Sequence, residues 1–174
     1  MRTDSPERAL LLLALDQAYN RKSWHGTNLR GSIRRVSLRQ AAWRPHPDRH
    51  NIWEIVVHAA YWKYVVCRRL TGQQRGSFPL KGSNWFERPQ DGTEQEWRAD
   101  VALLDRMHRS LRDAVDGLKA NAIRQKPKGS TFTSTSIVAG VAAHDVYHAG
   151  QIQLLKKLFS TVELQSNSSQ AGVK

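Results

Sequence analysis

A single cysteine, Cys67, stands in 174 residues, so the chain can form no internal disulfide, and one lone thiol suits a reducing compartment. Long apolar runs are also missing. The longest, Ala9 to Leu15, falls far short of the roughly 20 residues that cross a bilayer, which excludes a transmembrane helix. Asp4 and Glu7 precede that run in place of a basic leader, and Asp16 follows it with no small-residue cleavage site. No signal peptide is therefore expected, the chain is read as cytoplasmic, and no membrane partner is expected. There is no strand-like alternation of any length, no Asn-Gly hairpin, no internal repeat, no phosphate-binding glycine loop, no dinucleotide fingerprint and no Ser/His/Asp signature. What remains is a chain of 40% hydrophobic and 24% charged residues, of a size for one domain with a real core.

Acidic residues are scarce as well: 15 Asp and Glu stand against 27 Lys and Arg, a net charge of +12. Nearly all of the excess lies in residues 1–90, and it is densest from Arg21 to Arg49, where Arg21, Lys22, Arg30, Arg34, Arg35, Arg39, Arg44 and Arg49 face only Asp48. Such a field attracts anions, whether nucleic acid, a membrane surface or an anionic small molecule, but net charge alone selects none of them. A solvated basic face is the plain alternative.

Helix signals dominate the rest. Ser5 and Pro6 offer an N-cap and a first-turn proline to a leucine-rich helix running to about Asn20. Residues 21–50, broken by Gly26, Gly31, Pro45 and Pro47, read as a connection with at most a short helix. Asn51 and Glu54 have capping-box spacing ahead of a second helix that ends near Leu70, before Gly72. A long loop spans 73–92. Thr93 and Glu96 repeat the capping box for a third helix to about Ala120, and Ser134 or Ser136 is expected to cap a fourth, ending near Phe159. The pattern predicts an all-α protein, an antiparallel four-helix bundle, in one domain of residues 1–164. Residues 165–174, rich in Ser, Gln and Gly, are expected to be a flexible tail.

The third helix carries an apolar seam of Trp97, Val101, Leu104, His108, Leu111, Val115 and Leu118. The fourth steps likewise through Ile137, Val141, His144, His148, Gln151, Leu155 and Leu158, which places two imidazoles and an amide in a buried stripe. Burying such groups costs free energy unless each finds a partner. At roughly 100° per residue His144 and His148 lie about 40° apart, so both can reach one metal ion. His58, on the inward stripe of the second helix with Ile55, Trp62 and Val65, can bring a third imidazole from a facing helix. Three neutral histidines would leave a divalent ion an open coordination position, which is a catalytic arrangement.

The segments Asn51-Ile-Trp-Glu-Ile-Val-Val-His58-Ala-Ala-Tyr-Trp62 and His144-Asp-Val-Tyr-His148-Ala-Gly-Gln151-Ile resemble the DinB/YfiT-like superfamily of damage-inducible metalloenzymes, over residues 5–160. The resemblance implies a four-helix bundle of mirror-type up-and-down connectivity, a homodimer, and a zinc or nickel ion held by His58, His144 and His148. It also implies transferase or isomerase chemistry with low-molecular-weight thiols such as bacillithiol, mycothiol or glutathione. A thiol on a metal loses its proton and becomes a nucleophile at neutral pH, and the basic first half would help to hold an anionic thiol. Two other readings stay open: a metallohydrolase on the same ligands, and a non-enzymatic basic bundle of a stress response, for which nucleic acid is allowed by charge but not favoured.

Around these ligands Gln151 is a candidate to orient a ligand or a bound water, against simple core hydrogen bonding. Glu54 is a candidate ligand or hydrogen-bond partner, against its capping role. Trp62, Tyr61 and Tyr147 are candidate pocket residues, against core packing. His108 reads as a core histidine. Cys67, half a turn away from His58, is not expected to be a ligand. His25, His46 and His50 receive no role.

Overall fold

Side-chain capping sets where three of the four long helices begin, while Ser5 stands at the N-cap of the first without a side-chain capping bond. In the computed structural model, which describes the backbone of residues 5–171 and the side chains of residues 5–165, α1 runs Pro6–Tyr19, α2 Leu29–Ser32, α3 Leu38–Ala42 and α4 Ile52–Thr71. The chain continues with α5 Glu94–Asp116, α6 Ala120–Ile123 and α7 Ser134–Ala171, and no strand occurs among the described residues. The capping box of α4 is closed from both sides: Glu54 N–H donates to Asn51 Oδ1 at 2.8 Å and Asn51 N–H to the Glu54 carboxylate at 3.4 Å. That of α5 is closed in the same way by Thr93 and Glu96. Gly72 ends α4 at φ +72°, a left-handed conformation that a side chain disfavours.

Three helix ends differ from expectation. The third long helix stops at Asp116, because Gly117 caps it and Lys119 turns extended before the short α6. The cap of α7 is neither Ser134 nor Ser136 but Thr133, whose hydroxyl accepts from Ser136 N–H at 3.2 Å. The far end of α7 continues past Phe159 to Ala171. No Pro or Gly interrupts it from Gln151 onward, and Ser160 and Thr161 return their hydroxyls to the carbonyls four residues back, Lys156 and Lys157. Glu163 also ties this extension to Arg39 at 2.6 Å. Residues 172–174 of the expected tail lie outside the described residues.

The four long helices pack in a ring of pairs: α4 on α5, α5 on α1, α1 on α7, and α7 on α4. The core falls into two clusters, one around Tyr19, Ile52, Trp53, Leu104 and Ile152, the other around Leu11, Leu15, Leu111, Ile123 and Val138. The seam of α5 is buried at Trp97, Leu104, His108, Leu111 and Val115. On α7, Ile137, Val141, His148 and Leu155 are buried, but Leu158 is 41% exposed. A seven-residue repeat drifts by about 20° per heptad on a straight helix, so after three heptads the stripe has rotated off the core.

The basic segment is less open to anions than its charge suggests. Arg21 pairs with Asp16, Arg30 with Asp105, Arg39 with Glu163 and Arg44 with Glu54, so these cations fasten the connection to α1, α5, α7 and α4.

Candidate metal centre

The packing of α4 on α7 brings His58, His144 and His148 together. His144 Nε2 lies 3.0 Å from His58 Nε2 and 3.0 Å from His148 Nε2. Two of the rings have a fixed orientation. His58 Nδ1 donates to the Asn84 carbonyl at 2.7 Å, and His148 Nδ1 donates to Gln151 Oε1 at 2.6 Å. Their protons are thereby placed on Nδ1, and each Nε2 presents a lone pair to the centre. A proton on His144 Nε2 can serve one of its two neighbours but not both. Three acceptor nitrogens this close repel one another unless a cation lies among them, and tetrahedral ligands about 2.0–2.1 Å from zinc stand only roughly 3.4 Å apart. The donor set fits a divalent ion.

Electrostatics agree with that fit. Burial pushes all three imidazoles below the ordinary histidine value, His144 to about 3 and His148 to about 4, with the neighbouring rings adding to burial at His144. All three are neutral at physiological pH, as metal ligands must be. His144 Nδ1 is buried without a hydrogen-bond partner, so this ring alone lacks an orienting acceptor.

The surroundings come from segments whose sequence carries no periodicity. Asn84 and Trp85 belong to the loop between α4 and α5. Asn84 adopts φ +66°, a conformation that asparagine tolerates better than most residues, and its side-chain oxygen accepts from Trp62 Nε1 at 3.0 Å. Trp85 stacks on His58 at 3.8 Å between centroids and on His50 at 3.6 Å across its other face. A backbone acceptor and a loop tryptophan leave no sequence signature beyond the Gly82-Ser83-Asn84 turn signal.

The remaining candidates divide. Gln151 bonds His148 directly and donates to the Tyr147 hydroxyl at 3.0 Å, while Tyr147 itself is 63% exposed. Trp62 and His144 line one open, mostly apolar cleft of about 480 Å³. Tyr61 does not line it; its ring packs on Phe78, Phe86 and Trp62, and together with Trp62 it lines the neighbouring cleft of about 540 Å³. Glu54 does not reach the cluster either. Arg44 at 2.5 Å and His50 at 3.0 Å occupy its carboxylate, and although burial alone would raise its pKa, those two partners hold it low. His108 stacks on Tyr19 at 3.7 Å, away from the centre, and Cys67 bonds the Ser110 carbonyl. Behind His144, Lys63 and Asp145 form a fully buried ion pair.

An all-α chain whose two packed long helices converge three neutral imidazoles on one point is a helical protein with a histidine-built candidate metal centre. The model of the DinB superfamily matches residues 22–152, a span that holds all three histidines and Gln151, and the chain belongs to that superfamily. No curated protein and no solved structure matches it.

Proposed function

We propose that this protein is a divalent-metal-dependent transferase in which a low-molecular-weight thiol attacks an electrophilic substrate at His58, His144 and His148. The observation that supports it is the convergence of three imidazole Nε2 atoms, those of His58 and His148 each 3.0 Å from that of His144. A zinc or nickel ion bound there would stabilise the thiolate over the thiol at neutral pH. The chain's own residues do the rest. Asn84 and Gln151 hold the Nδ1 protons so that His58 and His148 keep their lone pairs inward. Trp85 and Trp62 wall His58 against water. In the transfer the sulfur forms a bond to the electrophilic carbon, the leaving group departs with its electron pair, and the thiol proton passes to solvent.

The reading includes an antiparallel four-helix bundle of mirror-type connectivity, built from α1, α4, α5 and α7, and a cytoplasmic homodimer. Thiol dependence is the direct test. Protein reconstituted with one divalent ion is incubated with an aryl halide or epoxide, with and without glutathione, bacillithiol or mycothiol, and the thioether is measured by mass spectrometry. Thioether formation lost in His144→Ala is the expected result. Turnover that needs metal but no thiol would assign the site to hydrolysis instead.

A further inference from the structure

Two clefts share a wall, and one of them reaches the histidine cluster at His144. The apolar one of about 480 Å³ runs past Val66, Phe132, Ile137 and Val141 and opens on His144. The other, about 540 Å³, holds four cations, Arg68, Arg69, Arg75 and Lys81, and no carboxylate. Trp62 and Arg69 line both. Arg68 and Arg69 stand in the last turn of α4, where cations offset the helix dipole, and Arg68 also bonds the Gln73 carbonyl. That role explains neither Arg75 nor Lys81, which come from the following loop. The loop is pinned over the helix by the Tyr64 hydroxyl, which accepts from Gly76 N–H and Ser77 N–H at 3.2 Å each. Arg69, Arg75 and Lys81 have no carboxylate partner among the described residues, unlike the arginines fastened to α1, α4, α5 and α7.

We propose that the two clefts form one groove for an amphiphilic anion: an apolar body lies along Trp62 and Val141 with its end at His144, and a doubly charged head of phosphate type sits at Arg69, Arg75 and Lys81. From His58 to Arg69 the helix rises roughly 16 Å, which sets the length of such a molecule at that of a medium alkyl chain with its head. A buried apolar wall recognises the body without direction, and clustered guanidinium groups recognise the head. That the apolar end is the reacting end rests on the proposed histidine centre; the groove itself does not.

Calorimetric titration of the 174-residue chain with monomeric n-octyl phosphate, n-octanol and inorganic phosphate tests the groove. Octyl phosphate should bind at least tenfold more tightly than either fragment, with an affinity that falls as salt rises. Gly140 lines the apolar cleft and a Cβ there would meet nothing within 4 Å, so Gly140→Leu places its side chain in the cleft and should weaken octyl phosphate at least tenfold. Arg69→Gln combined with Arg75→Gln should weaken octyl phosphate similarly and leave octanol unchanged. Circular dichroism checks that both variants remain helical. Octyl phosphate binding no tighter than phosphate, or unchanged in both variants, would overturn the proposal. So would binding confined to phosphatidylglycerol vesicles, which would make this face a membrane contact.

His58 lines neither cleft, so His58→Ala should release metal yet keep octyl phosphate affinity within about twofold. Groove binding in a protein that takes up no metal would fail the metal reading alone. Metal without groove binding would fail this inference alone.

Discussion

At the scale of single residues, the site depends on where two protons sit. Gln151 places one of them, through the 2.6 Å bond that orients His148, and partners of this kind typically carry a 10- to 100-fold effect on metal affinity. Gln151→Leu should therefore weaken zinc binding by about that factor in a chelator competition, with the far-ultraviolet circular dichroism unchanged; an unchanged affinity would return Gln151 to a packing role. His108 supplies a second residue-scale prediction. Burial, with smaller contributions from Lys63, Arg112 and Arg109, pushes it down to about 3, against 6.5 for a free imidazole. Below pH 6.5 the unfolded chain takes up a proton that the folded chain refuses, so stability falls as pH drops from 6.5 towards 3, by at most about 1.4 kcal/mol per pH unit from this group. His108→Phe, which keeps a ring against Tyr19, should flatten that slope in urea unfolding of metal-free protein. An identical slope would place the acid sensitivity elsewhere.

The same scale shows what can be read from sequence. His58, His144 and His148 were legible because helical periodicity puts them on inward stripes, and periodicity is a property of spacing alone. Asn84 and Trp85, which touch His58, and His50, stacked behind Trp85, were not, since they come from connections whose path depends on tertiary packing. Glu54 shows the other side of this: of the two roles open to it, the capping role read from its spacing to Asn51 forms, and its carboxylate is committed to Asn51 N–H, Arg44 and His50.

At the scale of elements, helix starts were legible and helix ends less so. The Asn51 and Thr93 capping boxes are side-chain signals with one geometric meaning, and both form. The run of α7 past Phe159 was hidden by Ser and Thr, which favour loops by propensity yet here return their hydroxyls to the helix. Between elements, the Lys63 and Asp145 pair joins α4 to α7 directly behind the histidines. Burial pushes the Lys63 ammonium down and the Asp145 carboxyl up to about 6, while their mutual attraction opposes both. Removing one partner leaves an uncompensated buried charge, so Lys63→Met should destabilise by about 3–5 kcal/mol, and adding Asp145→Leu should restore most of it. Urea unfolding of the metal-free variants measures this; a double variant no more stable than the single one would mean that the cost is lost packing.

At the scale of the whole molecule, the basic charge divides between two places. Arg21, Arg30, Arg39 and Arg44 hold the connection between α1 and α4 onto the long helices, a role that composition cannot distinguish from a solvated face. The cations of the loop after α4 stand over the cleft beside Trp62. The all-α class and the family follow from sequence and family match together, and among the described residues the histidine cluster that α4 and α7 bring together is the group that could hold a metal ion.

Elemental analysis of protein purified without chelator or nickel resin, beside His58→Ala, His144→Ala and His148→Ala, tests that cluster most directly. The account predicts about one divalent ion per chain in the parent and its loss in each variant, with helicity retained. A parent that holds no metal even after reconstitution, or variants that keep it in full, would contradict it.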